Sequence, residues 1–248
     1  MIKFFRKIRY SLMETGKTGK YLKYAIGEIV LVVIGILIAL SINNWNEQKK
    51  ENNTATILAK SLIEDLNKDA DFLKNALSFS EEKIKNCDIL LTLLSKPQTE
   101  WDNKQIYESF NSVGQSNPFF PTTGTYTQIV TSGSLKLFDQ SLVNQINAYD
   151  MQLKKITYWS NAEDETSWLM ANIIWKGMNV EAMADIRFNL PLTHELFLKI
   201  PKASIIELTN LIAGIKTYRL KTKTEYIEQL RLAENLITSL NNAYNLNI

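Results

Sequence analysis

YAIGEIVLVVIGILIALSI, residues 24–42, is an apolar run of nineteen residues whose only charged member is Glu28. At a helical rise of about 1.5 Å per residue the run is about 28 Å long, close to the roughly 30 Å hydrocarbon core of a bilayer. It therefore predicts a single transmembrane helix. A cleaved signal peptide is the competing interpretation, because the small residues Ala39 and Ser41 could form a cleavage site. The long basic segment before the run favours the transmembrane helix.

Charge is distributed unevenly around this run. Residues 1–23 carry a net charge of +6, whereas the chain after the run carries −3, which together with Glu28 gives the overall +2. The positive-inside rule then predicts a bacterial-type single-pass membrane protein with a cytoplasmic N-terminus and an exported C-terminal body. Trp45 follows the run, where its ring suits the headgroup layer. A body with net negative charge argues against a nucleic-acid partner.

The basic segment at residues 1–23 also carries apolar residues at helical spacing, namely Phe4, Phe5, Ile8 and Leu12. This pattern predicts a short amphipathic helix that lies on the anionic inner leaflet of the bilayer. The alternative is that the basic residues only set the orientation of the transmembrane helix.

A stripe with a four-residue spacing runs through the apolar segment at Gly27, Leu31, Gly35 and Ala39, and three of these four residues are small. Such a stripe lets two helices approach closely, so it favours a homo-oligomer. Glu28 lies about one turn inside the membrane, where an ionisable group is costly. Three interpretations stand open: Glu28 pairs with Lys20 or Lys23 at the interface, bonds across a helix oligomer, or relays protons.

The remainder of the chain is predicted to be all-α. After a linker or stalk at residues 43–53, the body at residues 54–248 begins with a long amphipathic helix, which Pro97 ends. The helix either continues from the transmembrane segment or breaks near Asn52, in an asparagine-rich stretch. Its predicted buried stripe comprises Ala59, Leu62, Leu66, Ala70, Leu73, Leu77, Ile84, Cys87, Leu91 and Leu94.

A second long helix is predicted from Ser204 to the C-terminus. Its stripe comprises Leu211, Ile215, Tyr218, Thr222, Tyr226, Leu230, Ala233, Ile237, Leu240 and Tyr244. Between the two long helices, Thr125 is expected to cap a short helix that Gly133 closes, and Asp139 to cap the next one. Two long amphipathic helices with shorter ones between them indicate an elongated antiparallel bundle. No stretch alternates with a period of two, so no substantial sheet is expected.

Aromatic residues accompany the irregular stretch at residues 97–124. We consider a candidate pocket formed by Trp101, Phe119, Phe120 and Trp159, with the alternative that these rings fill the helical core.

Catalytic and metal-binding signals are weak throughout. The chain has one cysteine and one histidine, so intrachain disulfides and zinc sites of the Cys₂His₂ or His₃ type are excluded. Cys87 falls within an apolar stripe, which indicates a buried, inert thiol rather than a reactive one. His194 has no second histidine or nucleophile partner, and Asp164 and Glu165 are more typical of a solvated helix face than of a metal site. We predict no catalytic residue, metal or cofactor.

Three stretches carry a family resemblance: MIKFFRKIR at residues 1–9, KYLKYAIGEIVLVVIGILIALSINNWNE at 20–47 and TYTQIVTSGSLKLFDQSLVNQINAYD at 125–150. They resemble an uncharacterised family of single-pass membrane proteins that is widespread in Bacteroidota. The resemblance implies an inner-membrane protein with a helical periplasmic domain, and it supplies no catalytic residues.

These observations lead to two functional hypotheses. The first is a non-enzymatic, membrane-anchored interaction or scaffold protein of the cell envelope that self-associates and binds another envelope protein. The second is a periplasmic ligand-sensing or accessory subunit that acts through a partner membrane protein. An enzyme of a new type ranks third.

Overall fold

The computed structural model describes residue 10 and residues 18–246, except for the side chains of residues 18, 20 and 21. The predicted amphipathic segment at residues 1–23 therefore lies mostly outside the described residues. The α-helices are α1 (Thr18–Leu94), α2 (Asn103–Gly114), α3 (Gly124–Thr131), α4 (Gln140–Ile174), α5 (Val180–Arg187) and α6 (Lys202–Tyr244). Short 3₁₀ helices occupy Gln98–Glu100 and Ser134–Leu137. Residues 18–246 contain no strand, only one isolated bridge between Met178 and Leu198. The all-α prediction is confirmed.

The chain divides into two compact units, Met1–Thr56 and Ile57–Ile248. In the first, α1 contains a window of 18 residues with a mean hydropathy of 2.8, and none of that window is buried. This is one helix long and apolar enough to cross a membrane. Residues 43–53 are helical as well, so α1 shows no break near Asn52.

The second unit, here called the body, is a bundle of three long helices: α1 from Ile57 onward, α4 and α6. Contacts between them set their directions. Asp69 and Lys83 of α1 meet Tyr149 and Glu163 of α4 in the same order, so these helices are parallel. In α6 the order is reversed, because Glu81 of α1 meets Lys223 whereas the later Asp88 meets Lys216. Helix α6 is therefore antiparallel to both.

Two parallel helices require a crossover connection, and residues 115–123 provide it as a nonhelical segment. The Gln115 carbonyl accepts a hydrogen bond from Lys83 Nζ (2.6 Å), and the Thr122 amide donates to Asp69 Oδ1 (2.7 Å). The segment thus returns along α1 over about four helical turns. The sequence pattern did not predict this crossover.

Local capping explains where the shorter elements begin. Asp139 accepts a hydrogen bond from the Leu142 amide (2.8 Å), which confirms it as the N-cap of α4. Gly133 has φ = 69°, the left-handed conformation that glycine adopts without strain. The prediction for Thr125 was wrong: it lies inside α3, with Thr123 at the N-cap position, and its amide donates to Asp65 Oδ2 (3.1 Å).

Three apolar clusters form the core of the body. One contains Leu62 and Leu236, a middle one Leu73 and Tyr226, and the third Leu90 and Tyr107. Cys87 belongs to the third cluster and is fully buried, and this burial raises the pKa of its thiol to about 12. The prediction of a buried thiol is confirmed.

The predicted buried stripes are correct only in part. In α1 they hold through Leu73, but the buried face then continues through Ala76, Ser80 and Lys83, while Leu77 and Ile84 are half-buried. In α6 the buried positions include Leu208, Ile212, Arg219, Gln229 and Leu236, whereas Leu211, Tyr218, Leu230, Ile237 and Tyr244 are half-buried. Apolarity misled the assignment because polar residues with buried partners occupy the core face.

Candidate functional site

A groove of about 810 Å³ lies on the body between α2, α4 and α5. We call it the aromatic groove. Its apolar wall residues are Phe110, Trp168, Met170, Ala171, Ile174, Trp175, Val180, Met183, Ala184 and Phe188. Its polar wall residues include Asn111, Ser116, Asp164, Ser167 and Arg187. The volume is within the range of about 300–1,000 Å³ that is typical of ligand sites.

The turn between α4 and α5 positions two of the three walls. Gly177 lies against the segment before α6: its carbonyl accepts a hydrogen bond from the Lys199 amide (2.7 Å), and an added Cβ would lie 2.6 Å from the Lys199 carbonyl oxygen. Only glycine allows this backbone approach. Asn179 then caps α5, accepting hydrogen bonds from the amides of Glu181 (3.0 Å) and Ala182 (3.4 Å).

Large aromatic side chains on the groove are exposed. Trp168 is 64% exposed, Trp175 49% and Phe188 69%. The two indoles meet edge to face, with ring centroids 6.0 Å apart and an interplanar angle of 75°. An exposed cluster of large apolar groups around a concavity is typical of an interaction surface.

Polar groups on the groove are held in defined positions. Arg187 Nε donates a hydrogen bond to Asn111 Oδ1 (3.1 Å), which fixes α5 to α2. Ser116 Oγ donates to Asp164 Oδ1 (2.9 Å), which fixes the crossover segment to α4. The groove therefore combines an apolar floor with one oriented cation and one oriented anion.

A cluster around His194 connects α5 to the segment that follows it. Asp185 Oδ2 lies 2.8 Å from His194 Nδ1 and accepts hydrogen bonds from the amide and the hydroxyl of Thr193 (both 3.2 Å), while Glu181 Oε2 lies 3.4 Å from His194 Nε2. The Asp185 hydrogen bond raises the pKa of His194, and His194 in turn lowers the pKa of Asp185. We call this cluster, which joins α5 to the following segment, the His194 clasp.

A second charged cluster lies inside the bundle. Glu163 Oε1 accepts hydrogen bonds from Lys83 Nζ (2.6 Å) and from Arg219 Nη2 (2.6 Å), and no side chain of the three is more than 3% exposed. Burial lowers the pKa of Lys83, partly opposed by the nearby Glu163 carboxylate. Because these residues lie on α1, α4 and α6, the cluster joins all three long helices.

The four aromatic residues of the predicted pocket occupy different surroundings. Phe119 is buried against Phe72 and Tyr226, whereas the adjacent Phe120 is 75% exposed. Trp101 packs on the cluster that contains Leu90, and its indole donates to the Lys96 carbonyl (3.0 Å). Trp159 stacks on Tyr218 of α6. The aromatic groove is lined by none of these four residues.

The predicted helix-association residues lie on the exposed part of α1. An added Cβ at Gly27 or Gly35 would meet no atom within 4 Å. Ala39 and Trp45 are exposed, and Lys49 Nζ lies 5.5 Å from the centre of the Trp45 ring. Glu28 has an interaction partner in the chain. Gly27, Gly35, Ala39 and Trp45 are thus exposed in the single chain, whereas Glu28 is half-buried.

Metal-ligating side chains do not assemble in the described part of the chain: residues 18–246 contain no group of three or more His, Cys, Asp or Glu residues that could hold an ion. Glu165 is exposed, and Asp164 is engaged by Ser116. We assign no reaction to the His194 cluster.

Comparison with protein families gives one match. The model of a family of unknown function, DUF6090, matches residues 28–170, which is more than half of the chain. The chain belongs to this family. The match extends from the apolar part of α1 through the crossover to Met170, near the end of α4. No curated protein and no solved structure matches the DUF6090 chain.

Sequence reasoning missed the groove residues of this DUF6090 protein. The Trp-rich stretch containing Trp168 and Trp175 was a signal, but Trp is also common in cores. Nothing in the pattern indicated that Arg187 and Asn111 would meet, because they are 76 positions apart.

Proposed function

We propose that this DUF6090 protein is a non-enzymatic interaction or scaffold protein, anchored in the inner membrane of a Bacteroidota-type cell. Its body faces the periplasm and binds another envelope protein through the aromatic groove. The observation that carries the proposal is the exposed pair Trp168 and Trp175 on the wall of a groove of about 810 Å³.

The distribution of exposed apolar residues supports this use of the groove. Of the sixteen large apolar residues exposed between residues 57 and 246, nine lie between residues 168 and 206. Aromatic residues, Met and Arg are enriched in protein–protein interfaces, and the groove wall contains Trp168, Trp175, Met183 and Arg187. Four of these nine residues, Trp168, Trp175, Val180 and Phe188, line the groove itself.

The test is site-specific photocrosslinking in living cells. A photoreactive amino acid replaces Trp175 in the full chain, and the same amino acid replaces Phe120 as the matched exposed aromatic control. We expect one discrete protein adduct from position 175 and none from position 120, and we expect Trp168→Ala to abolish the adduct. Equal adducts from both positions, or none from position 175, would refute the groove as the docking site.

The membrane topology rests on the apolar helix and on the basic segment before it. A cysteine placed in a tag after residue 248 is expected to react with a membrane-impermeant maleimide in cells whose outer membrane has been permeabilised. A cysteine introduced near residue 12 is expected to react only after lysis. The reverse pattern would contradict the proposed orientation.

Self-association is the second part of the proposal, supported by the stripe of Gly27, Gly35 and Ala39. Because Gly35 has open space around its Cα, Gly35→Ile fits an isolated helix and acts only on helix pairing. Crosslinking in native membranes is expected to give a dimer or higher oligomer that Gly35→Ile weakens. Val33→Ile, on another face, is the control. Only monomer at every expression level would refute this part.

A ligand-sensing or accessory role is the second candidate function, and the volume of the aromatic groove supports it. Such a role requires a partner membrane protein to carry the signal. It predicts that the purified full chain carries a small molecule that is detectable by mass spectrometry and is lost in Trp168→Ala. If the purified chain carries no such molecule but still gives the crosslinked protein adduct, the scaffold role is favoured over the ligand-sensing role.

A further inference from the structure

Residues 18–246 contain three arginines, and their partners differ. Arg219 pairs with Glu163 in the core, and Arg231 pairs with Glu228 on the surface through two hydrogen bonds. Arg187 has no carboxylate partner among the described residues, and its only hydrogen bond goes to Asn111. Arg187 is thus the one guanidinium of this region without an anion, and it lies on the wall of the aromatic groove.

The hydrogen bond to Asn111 uses the Nε atom of Arg187 and leaves both Nη groups without a partner among the described residues. Nη groups held in this way form the planar donor pair that binds a carboxylate with two parallel hydrogen bonds. Because Asn111 restricts the side chain, less rotamer entropy is lost when a ligand binds. Arg187 is exposed, so a ligand can reach its guanidinium from solvent.

We propose that the groove binds a polypeptide segment that packs aliphatic or aromatic side chains against the exposed faces of Trp168 and Trp175 and brings a carboxylate to Arg187. This inference rests on the proposed function and specifies its partner as an acidic, amphipathic peptide segment. Charge complementarity is the basis for the acid, since the only other charged wall residue, Asp164, is already hydrogen-bonded to Ser116. Asp164 repels any second acid of the bound segment. This repulsion fixes the direction in which the segment lies in the groove.

The experiment uses the full chain in lipid nanodiscs as bait for displayed random peptides of about 12 residues, a length that covers the recurring helical and extended recognition modes. Peptides that also bind the Trp168→Ala, Trp175→Ala double variant are removed. We expect the remaining peptides to be enriched in Asp or Glu beside Leu, Phe or Trp. Changing the enriched acid to its amide in a synthetic peptide is expected to weaken binding about five- to tenfold.

Arg187→Gln should remove this difference between the acidic and the amide peptide. Lys176→Gln is the matched control, because it removes one positive charge next to Trp175 from a residue that does not line the groove. It should preserve the difference. Three results would each overturn the proposal. The difference between the acidic and the amide peptide could persist in Arg187→Gln, or the selected peptides could show no enrichment in acids. The chain could also bind peptide-free vesicles of anionic lipid and no peptides. If the adduct at position 175 still forms in cells in any of these cases, the docking function stands and only the acidic partner is refuted.

Discussion

Glu163 Oε1 lies 2.6 Å from Arg219 Nη2 inside a core where the two side chains are 0% and 3% exposed. The same oxygen is 2.6 Å from Lys83 Nζ, so one buried anion serves two buried cations. Charges that leave water require close partners, because the desolvation penalty of an unpaired ion in a protein core is several kcal/mol. This arrangement makes the three residues unequal in their effect on stability.

Replacing Glu163 should be the most damaging change in this cluster. Glu163→Gln leaves Lys83 and Arg219 buried without an anion, and we expect it to lower the free energy of unfolding by about 3–5 kcal/mol. Lys83→Met removes one of the two cations that meet Glu163 and also the donor to the Gln115 carbonyl, but it leaves the Glu163 carboxylate paired with Arg219, so we expect a smaller loss of about 1–2 kcal/mol. Denaturant unfolding of the full chain in detergent micelles measures both. Equal losses in the two variants would contradict this ranking.

The His194 clasp should loosen as the solution becomes alkaline. Its raised folded-state pKa means that the protonated ring stabilises the fold below the ordinary value of 6.5, and that this stabilisation is lost as the pH rises through the raised pKa. The pKa of Asp185 is lowered from 3.8, so its carboxylate stabilises the fold above pH 3.8. This stabilisation is lost only in acid, as the pH falls through the lowered pKa. Hydrogen exchange of residues 188–195 is therefore expected to show more opening at pH 8.5 than at pH 5.5.

The control for the clasp is His194→Gln, which removes the only histidine of the chain. The exchange rates are first corrected for the intrinsic pH dependence of exchange. In this variant the opening equilibrium should then be the same at both pH values. A change of equal size in the variant would show that another group is responsible.

Gly177 should tolerate no side chain. Gly177→Ala places a Cβ 2.6 Å from the backbone oxygen of Lys199, and we expect a loss of about 1–3 kcal/mol in unfolding free energy. Gly124→Ala is the control, because its Cβ would meet no atom within 4 Å. Thermal unfolding of the two variants compares them. A Gly177→Ala chain as stable as Gly124→Ala would refute the close backbone contact.

Cys87 should be unreactive in the folded chain. Its complete burial and a thiol pKa of about 12 leave little thiolate at neutral pH. We expect maleimide to label Cys87 only after denaturation, whereas a Ser95→Cys variant carries an exposed thiol that reacts in the native state. Rapid native labelling of the unaltered chain would contradict the burial.

Local features of the amino-acid sequence determined much of this fold. The apolar run at residues 24–42 identified the candidate membrane helix, Pro97 marked the end of α1 at Leu94, and Asp139 marked the start of α4. These features act through the backbone or through continuous apolarity within one stretch of chain. Each of them can therefore be read without knowing which other residues are nearby.

Tertiary structure alone decided which helices lie side by side and which polar residues are buried. Lys83, Glu163 and Arg219 are residue types that usually lie on the surface, yet they lie in the core because both cations pair with the same carboxylate. Arg187 and Asn111 meet only because α5 packs on α2. The physical reason is that a buried charge or an aligned hydrogen bond depends on its partner. The positions of such partners, separated by tens of residues, follow from packing rather than from any local pattern.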